Sequence, residues 1–311
     1  MSFKKNIISI FYGCLVLLLL TSCSFKTKSN EKSLRMGFMP NVTHAEALVG
    51  IGKEIYKNEL GKLKVHFKPI PFLVGNSVID AFITNQIDVA YIGPGPYVNA
   101  LYRRIPIKLL ANSANLGTTI VGKLGIDSLK PDMRIAVPQY GNTQDLLLRY
   151  YLQNSKLEDK IKIFSIPSQD TATAFFTRSI DAACLPEPWG TILVEKGVCK
   201  IIVDEKNILK NVQYPVTVLV ANEQFVQSNP EVVNSFLNAH EIANSFIRNN
   251  QDEAVDVILR EISNVSKQQI DRQVIAKAFT KCEFSTKVNP RIPEEFKLIG
   301  EKAGYYRKGF W

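Results

Sequence analysis

The feature that most constrains this chain is an alternation of apolar strands and amphipathic helices that occurs twice. The first series runs from "SLRMGFMP" to "IKLLANSA", with a helical segment between successive strands. The second begins at "TTIVGK" and continues through "RIAVP", "KIFSIP", "DAACLP", "CKIIVDE" and "VTVLVA". Strands that alternate with helices of this length are typical of parallel sheets covered by helices on both faces. We therefore predict an α/β protein with two lobes.

The two series also predict where the chain passes between the lobes. We place the crossovers near Asn115–Thr118 and near Val220–Asn222. Residues 34–116 and 219–311 then form lobe 1, to which the mainly helical C-terminal part returns, and residues 117–218 form lobe 2. Ligands of open α/β sheets bind beyond the carboxyl ends of the strands. We therefore expect one ligand cleft between the lobes.

The N-terminus has the pattern of a bacterial export signal. Two lysines precede an apolar run from Ile7 to Leu20, which is shorter than the roughly 20 residues of a spanning helix. The run ends in "LTSC", which resembles the lipobox of bacterial lipoproteins. We predict a signal peptide over residues 1–22, lipidation of Cys23 and a flexible tether over residues 23–33. The protein is then expected outside the cytoplasm, held at the cell membrane by its lipid.

Charge and cysteine usage restrict the partners. Without the signal peptide, which holds two lysines, the chain has 38 − 2 = 36 basic and 29 acidic side chains, a net charge of +7. This balance suits a small anion or an anionic membrane surface, and no pattern indicates nucleic-acid binding. Cys184, Cys199 and Cys282 form no metal-like spacing, so we expect no metal and no cofactor. Burial of these thiols is favoured, although a Cys184–Cys199 disulfide stays open.

Three loops that follow strands contain capping signals. Thr43–Glu46 fits a capping box, Ser77–Asp80 has the related S-x-x-D form, and Asn142–Asp145 offers an asparagine cap with an acid at the same spacing. Helix N-termini that converge on a cleft bind an anion through their N–H groups and their partial positive charge. Each cap also stabilises its helix without any ligand, so both interpretations stay open.

Two further loops combine rigid turns with aromatic side chains. "YIGPGPYV" contains Gly93, Pro94 and Tyr97, and its glycines allow close backbone approach while its prolines stiffen the turn. "LPEPWG" places Glu187 and Trp189 after a strand. Trp189 is predicted either to pack in the core or to wall the cleft. Glu187 would repel an anion, so we expect it to be structural or to contact a cationic group of the ligand.

Four segments in order behind the lipobox resemble a known family. They are "GFMPNVTHAEALVG", "IDVAYIGPGPYV", "GNTQDLLLR" and "DAACLPEPWG", and the family is the nitrate/sulfonate/bicarbonate group of ABC-transporter substrate-binding proteins. The resemblance covers nearly the whole mature chain. It implies a type II periplasmic-binding-protein fold, a cleft that closes around one small solute, and delivery to a membrane permease with a cytoplasmic ATPase. It favours an aliphatic sulfonate or taurine as ligand, and we expect a monomer.

Carried over by position, the resemblance places the ligand contacts in loops of both lobes. They are Asn41, Thr43 and His44; Gly75, Asn76 and Ser77; Gly93, Pro94 and Tyr97; Gly141, Asn142, Thr143 and Gln144; and Glu187 and Trp189. No arginine lies in these loops, which favours recognition by neutral dipoles over an arginine clamp. Phe38 and Phe72 are further candidates for an apolar wall.

Other functions stay open at this point. Within binding proteins, the ligand could be nitrate, a phosphonate or a pyrimidine precursor of thiamine. In a different class, the same fold hosts biosynthetic enzymes, and His44 would then be the general base. No G-x-S-x-G motif, metal set or nucleotide loop supports catalysis. We predict a protein that is not an enzyme, in which His44 is a neutral donor or only the start of a helix.

Overall fold

The computed structural model describes residues 32–209 and 214–307. The predicted signal peptide, Cys23 and all but the end of the tether lie outside these residues. Among the helices of the described part, none is long and apolar enough to cross a membrane.

The larger sheet contains six strands. They are β1 (Ser33–Phe38), β2 (His66–Pro71), β3 (Val89–Ile92), β4 (Ile107–Leu116), β10 (Pro215–Asn222) and β11 (Cys282–Phe284). Their spatial order is β11-β4-β10-β3-β1-β2. Strand β1 is parallel to β2 and β3, whereas β10 is antiparallel to β3 and β4, and β11 is antiparallel to β4. The sheet is therefore mixed, and the prediction of purely parallel strands was wrong for the strands that return late in the chain.

The smaller sheet contains five strands from one continuous stretch. They are β5 (Thr118–Lys123), β6 (Arg134–Val137), β7 (Lys162–Ser165), β8 (Ala182–Pro186) and β9 (Cys199–Val203). Their order is β7-β6-β8-β5-β9. Strand β6 is parallel to β7 and β8, and β5 is antiparallel to β8 and β9. The two sheets confirm the predicted two-lobed α/β architecture.

Helices connect the strands and cover the sheets. They are α1 (Ala45–Gly52), α2 (Ile55–Gly61), α3 (Gly75–Ile83), α4 (Pro94–Tyr102), α5 (Thr143–Asn154), α6 (Thr171–Phe176), α7 (Trp189–Glu195), α8 (Glu205–Ile208), α9 (Glu223–Ser228), α10 (Pro230–Asn249), α11 (Gln251–Ser266), α12 (Arg272–Phe279) and α13 (Ile292–Lys302). Short 3₁₀ turns at Val42–His44 and Ser168–Asp170 precede α1 and α6. Helices α1 and α2 are separate because Glu54, which lies between them, adopts a left-handed conformation with φ of 56°.

Apolar side chains fill both faces of the larger sheet. On one face, Leu34 and Met36 of β1 pack with Leu48 of α1, Phe236 of α10 and Ile258 of α11. On the other face, the apolar cluster continues from the larger sheet into the smaller one. Burial of this surface is the main force that holds the helices on the sheets.

The chain passes from β4 to β5 through Leu116 and Gly117, which have φ of 62° and 72°. This change of sheet lies within the range predicted for the first crossover. Position 117 also requires a glycine, because a Cβ there would lie 2.5 Å from Cys282 Sγ. The second crossover, predicted at Val220–Asn222, falls inside β10 and needs correction. The apolar run from Pro215 is one strand of the larger sheet, so the chain has already returned to that sheet there.

Candidate functional site

A cavity of about 250 Å³ lies where loops after strands of both sheets meet. Many of the predicted site residues line it: Asn41, Thr43, His44, Gly75, Gly93, Asn142, Thr143, Gln144 and Trp189. The other lining residues are Met39, Pro40, Leu73, Val74, Pro96, Pro138, Ser168, Gln169, Pro186, Val216, Val265, Ser266 and Gln268. In the described part of the chain, no Asp, Glu, Lys or Arg side chain lines this cavity.

Trp189 and Asn41 connect the two sides of the cavity. The Trp189 Nε1–H donates to Asn41 Oδ1 over 2.8 Å. Asn41 follows β1 of the larger sheet, and Trp189 opens α7 behind β8 of the smaller one. Trp189 also packs with Ile192 and Leu193 in an apolar cluster. Both predicted roles of Trp189, in the core and as a wall of the cleft, thus apply to the same buried ring.

His44 is a neutral imidazole in this cavity. Its Nδ1 accepts the backbone N–H of Met39 over 3.4 Å, so the ring proton lies on Nε2. Burial lowers the pKa of His44 to about 3. The cause is the loss of hydration, which disfavours the charged imidazolium. His44 makes no side-chain cap for α1. A protonated Nε2 leaves the ring without a free lone pair for proton abstraction.

The capping box at Thr43–Glu46 was a wrong prediction. Glu46 is fully buried, and its carboxyl accepts hydrogen bonds from Ser113 Oγ at 2.5 Å and from Asn244 Nδ2 at 3.0 Å. Burial raises the pKa of Glu46 to about 6, against the lowering effect of these two donors. These partners lie far along the chain, and they take the carboxyl away from the helix start. Glu46 is therefore part of the core behind the cavity.

Of the two other caps, one is wrong and one is confirmed. Helix α3 begins at Gly75 after Val74, without a side-chain cap, so Ser77 is not its N-cap. Asn142 does cap α5, because its Oδ1 accepts the backbone N–H of Asp145 over 2.9 Å. The Asp145 carboxylate in turn accepts the backbone N–H of Gly141 over 2.7 Å. This reciprocal pair fixes the start of α5 at the cavity.

The loop "YIGPGPYV" touches the loop that begins α5. The backbone N–H of Gly95 donates to Thr143 Oγ1 over 3.2 Å. A Cβ on Gly95 would lie 2.7 Å from the backbone N of Thr143 and 2.8 Å from the backbone C of Asn142. Only glycine fits at this contact, which joins elements of the two sheets.

Several predicted site residues lie outside the cavity, for identifiable reasons. The backbone C=O of Gly141 accepts from Asn99 Nδ2 over 2.7 Å. Tyr97 packs in the apolar cluster of the larger sheet. The backbone N–H of Asn76 donates to Gln139 Oε1 over 3.2 Å. Pro94 and Ser77 belong to the first turns of α4 and α3 and do not line the cavity.

Glu187 is also outside the cavity, although it stands two residues before Trp189. Its side chain is fully buried and its Oε1 accepts from Lys281 Nζ over 2.9 Å. Its Oε2 accepts the backbone N–H of Thr191 over 3.2 Å. Burial raises the pKa of Glu187, while Lys281 and Thr191 oppose that shift. Of the two predicted roles, the contacts match the structural one.

Helix N-termini surround the cavity. Helices α3, α5 and α7 begin at Gly75, Thr143 and Trp189, which all line it. The first N–H groups of a helix have no partner within the helix, and this end carries a partial positive charge. Helix α4 also begins there, but Pro94 and Pro96 have no N–H to offer. The site combines neutral donors with a positive potential and an apolar wall.

Fold and site together define a periplasmic-binding-protein fold, in which a ligand cavity lies between two α/β lobes. A model of the NMT1-like family matches residues 27–260, and the chain belongs to that family. The resemblance to ABC-transporter substrate-binding proteins, found from the sequence, is thereby confirmed.

One similar protein is related by sequence, and two solved structures are related by fold. A taurine-binding periplasmic protein of Escherichia coli K12 is 25% identical over 200 residues, which are 62% of this chain and 60% of that relative, less than two thirds of its length. An alkanesulfonate-binding protein from Xanthomonas axonopodis pv. citri, bound to MOPS, has a TM-score of 0.75 at 14% identity and covers 89% of this chain and 94% of its own. The nitrate-binding protein of Synechocystis PCC 6803 has a TM-score of 0.74 at 15% identity, over 90% and 83% of the two chains.

Proposed function

We propose that this protein is the extracytoplasmic solute-binding component of an ABC importer, and that its solute is an aliphatic sulfonate or taurine. The observation that carries the proposal is the uncharged lining of the cavity, which includes the first residues of α3 and α5. Such a site offers an anion oriented N–H groups without a basic side chain. The taurine-binding relative supports the choice of a sulfonate.

The chemistry of a sulfonate matches the donors of this cavity. A sulfonate group is a permanent anion with acceptor oxygens only, so the part of the site that binds it needs donors. His44 offers its Nε2–H as a donor. Thr143 and Gln144, the first residues of α5, offer the donors of that helix start. The apolar lining from Leu73, Trp189 and other side chains suits a short carbon tail. Because His44 stays neutral, binding needs no protonation of the protein.

Capture at the membrane completes the proposal. A lipid on Cys23 would hold the protein at the cell surface. The permease would then recognise a monomer whose two lobes have closed on the ligand. Contacts of one ligand with loops from both sheets stabilise the closed form relative to the open one. Asn41 and Trp189 lie on opposite sides of the cavity, and the hydrogen bond between their side chains already joins these two sides.

Two of the alternatives lose support. A pyrimidine ligand would suit Glu187 as its hydrogen-bond acceptor, but that carboxylate is paired with Lys281 outside the cavity. An enzyme relied on His44 as a base, and its Nδ1 already accepts the N–H of Met39. Nitrate remains the second candidate, since the neutral donors suit any permanent anion. The apolar wall favours a ligand that carries a tail, which nitrate lacks.

Thermal unfolding of the purified mature protein against a panel of anions tests the proposal. The panel contains ethanesulfonate, taurine, nitrate, methylphosphonate and an aminopyrimidine. A sulfonate at about 100-fold over its dissociation constant should add roughly 2.7 kcal/mol of stability. His44→Ala should weaken this shift, whereas Leu124→Ala, at a side chain that is 64% exposed, should leave it unchanged. A shift with nitrate, phosphonate or pyrimidine but with no sulfonate would reject the assignment, and turnover of a bound compound would favour an enzyme.

A further inference from the structure

We propose that Lys281 is a positioning residue for the ligand cavity: it neutralises the buried Glu187 carboxylate and thereby holds the loop that carries Trp189. The inference rests on the proposed function, since it treats the cavity as a site for an anion. Neither Lys281 nor Glu187 lines the cavity. Anion affinity at neutral pH would then depend on a lysine that does not touch the ligand.

The ion pair joins the two sheets. Glu187 lies between β8 and α7 of the smaller sheet, whereas Lys281 lies between α12 and the edge strand β11 of the larger one. Lys281 Nζ donates to Glu187 Oε1 over 2.9 Å and to Thr191 Oγ1 over 2.7 Å. Thr191 also donates its backbone N–H to the second carboxylate oxygen. The carboxylate is therefore bound at both oxygens, by one cation and one helix N–H.

The main chain of Glu187 is held by the larger sheet and by the crossover. Its N–H donates to the C=O of Gly117 over 2.9 Å, and its C=O accepts the N–H of Val42 over 3.1 Å. Two residues further on, Trp189 bonds to Asn41, the neighbour of Val42. The ion pair thus lies directly behind the wall of the cavity that Trp189 forms, and a shift of Glu187 displaces that wall.

Electrostatics explains why the loop needs a cation. A buried carboxylate without a counterion costs several kcal/mol and repels an anion bound nearby. Lys281 is the charged side chain that faces Glu187, and the other facing groups, at Thr191, Gly117 and Val42, are neutral. Burial already raises the pKa of Glu187, and removal of Lys281 removes the largest opposing effect. Without Lys281, the pKa of Glu187 rises further, so the charge of its carboxyl depends more strongly on pH.

Titration of ethanesulfonate by calorimetry over a pH series tests this dependence. The variants of the full chain are Lys281→Met, Lys281→Arg and the double variant Lys281→Met/Glu187→Gln. The matched control is Lys277→Met, which removes an exposed lysine of α12 from its 2.8 Å ion pair with Glu195. We expect Lys281→Met to bind ethanesulfonate about tenfold more weakly at about pH 8 than at about pH 5, because more of Glu187 is charged at the higher pH and repels the anion; tenfold is the change that a pKa shift of one unit on binding would produce. The other variants should bind ethanesulfonate with the same affinity at both pH values.

Urea unfolding without ligand provides an independent measurement. Relative to the wild type, Lys281→Met should lose stability as the pH rises, because a carboxyl with a raised pKa is protonated only in the folded state. The double variant Lys281→Met/Glu187→Gln should show no such loss of stability. If this holds while the wild type binds no sulfonate, the proposed ligand is wrong and the inference on Glu187 stands. If Lys281→Met behaves like Lys277→Met in both experiments, or loses affinity equally at every pH, the positioning role is overturned.

Discussion

Replacing Gly95 with alanine tests whether contact between the loops of the two sheets shapes the cavity. The new Cβ would lie 2.7 Å from the backbone N of Thr143 and 2.8 Å from the backbone C of Asn142. Both neighbours are main-chain atoms, so no side chain can rotate away. The start of α4 and the start of α5 must move apart, and the Gly95 N–H bond to Thr143 Oγ1 must lengthen.

The size of the effect follows from this geometry. Overpacking a well-packed contact by one methyl group costs about 1–3 kcal/mol. If the strain acts on the closed cleft, ligand affinity falls by the same free energy, which is roughly 5-fold to 150-fold. Gly61, the last residue of α2, offers a matched control because a Cβ there meets nothing within 4 Å. Gly61→Ala should stabilise the protein by about 0.5–1 kcal/mol through its helix propensity.

Urea denaturation of both variants measures the free energy of unfolding, and calorimetric titration measures the affinity for the ligand identified by the panel. We expect opposite signs in stability for the two alanine variants, and a loss of affinity for Gly95→Ala alone. A Gly95→Ala variant with the stability and affinity of the wild type would refute the idea that this contact shapes the cavity.

Further predictions concern buried polar groups. Asn142→Ala removes the cap of α5 and should cost about 1 kcal/mol of unfolding free energy in urea. Glu46→Gln should gain stability relative to the wild type as the pH rises through about 6, by about 1–2 kcal/mol, because the raised pKa of Glu46 penalises its charged form only in the folded state. A constant difference across pH would contradict this. His44 and His240, with pKa values lowered by burial to about 3 and about 4, bind protons chiefly when unfolded. Wild-type stability should therefore fall on acidification below about pH 6.5, and the His240→Gln variant should show a smaller fall.

The sequence predicts the sheets well because buried strands and amphipathic helices leave local signals. The period of apolar residues shows where β1, β3 and β8 lie, and the loops after them contain most of the predicted cavity residues. The direction of a strand depends instead on how the chain re-enters the sheet after a long excursion, which leaves no local signal. Strand β10 was recognised as a strand, but its antiparallel place between β3 and β4 follows from pairing across more than a hundred residues. The edge strand β11 has three residues, too few for a periodic signal.

The site was predictable only where it follows local rules. The Asn142 cap was found because its partner is three residues away. Glu46 fits a local motif equally well, but it bonds to Asn244, 198 residues later in the chain. The partner of Glu187 is 94 residues away. Val265, Ser266 and Gln268, at and just beyond the end of α11, line the cavity without any motif, so no local signal could have identified them.

The order of strands in the two sheets has a consequence for how the molecule is made. All five strands of the smaller sheet come from residues 118–203, whereas in the larger sheet β3 and β4 pair with the late strand β10, and β4 also pairs with β11. When the chain is synthesised from its N-terminus, the strands of the smaller sheet are therefore all available before β10, the strand that lies between β3 and β4. Until residue 222 is available, these two strands expose unpaired edges. A truncated chain that ends after β9 therefore contains one complete sheet and one that lacks its central strand β10.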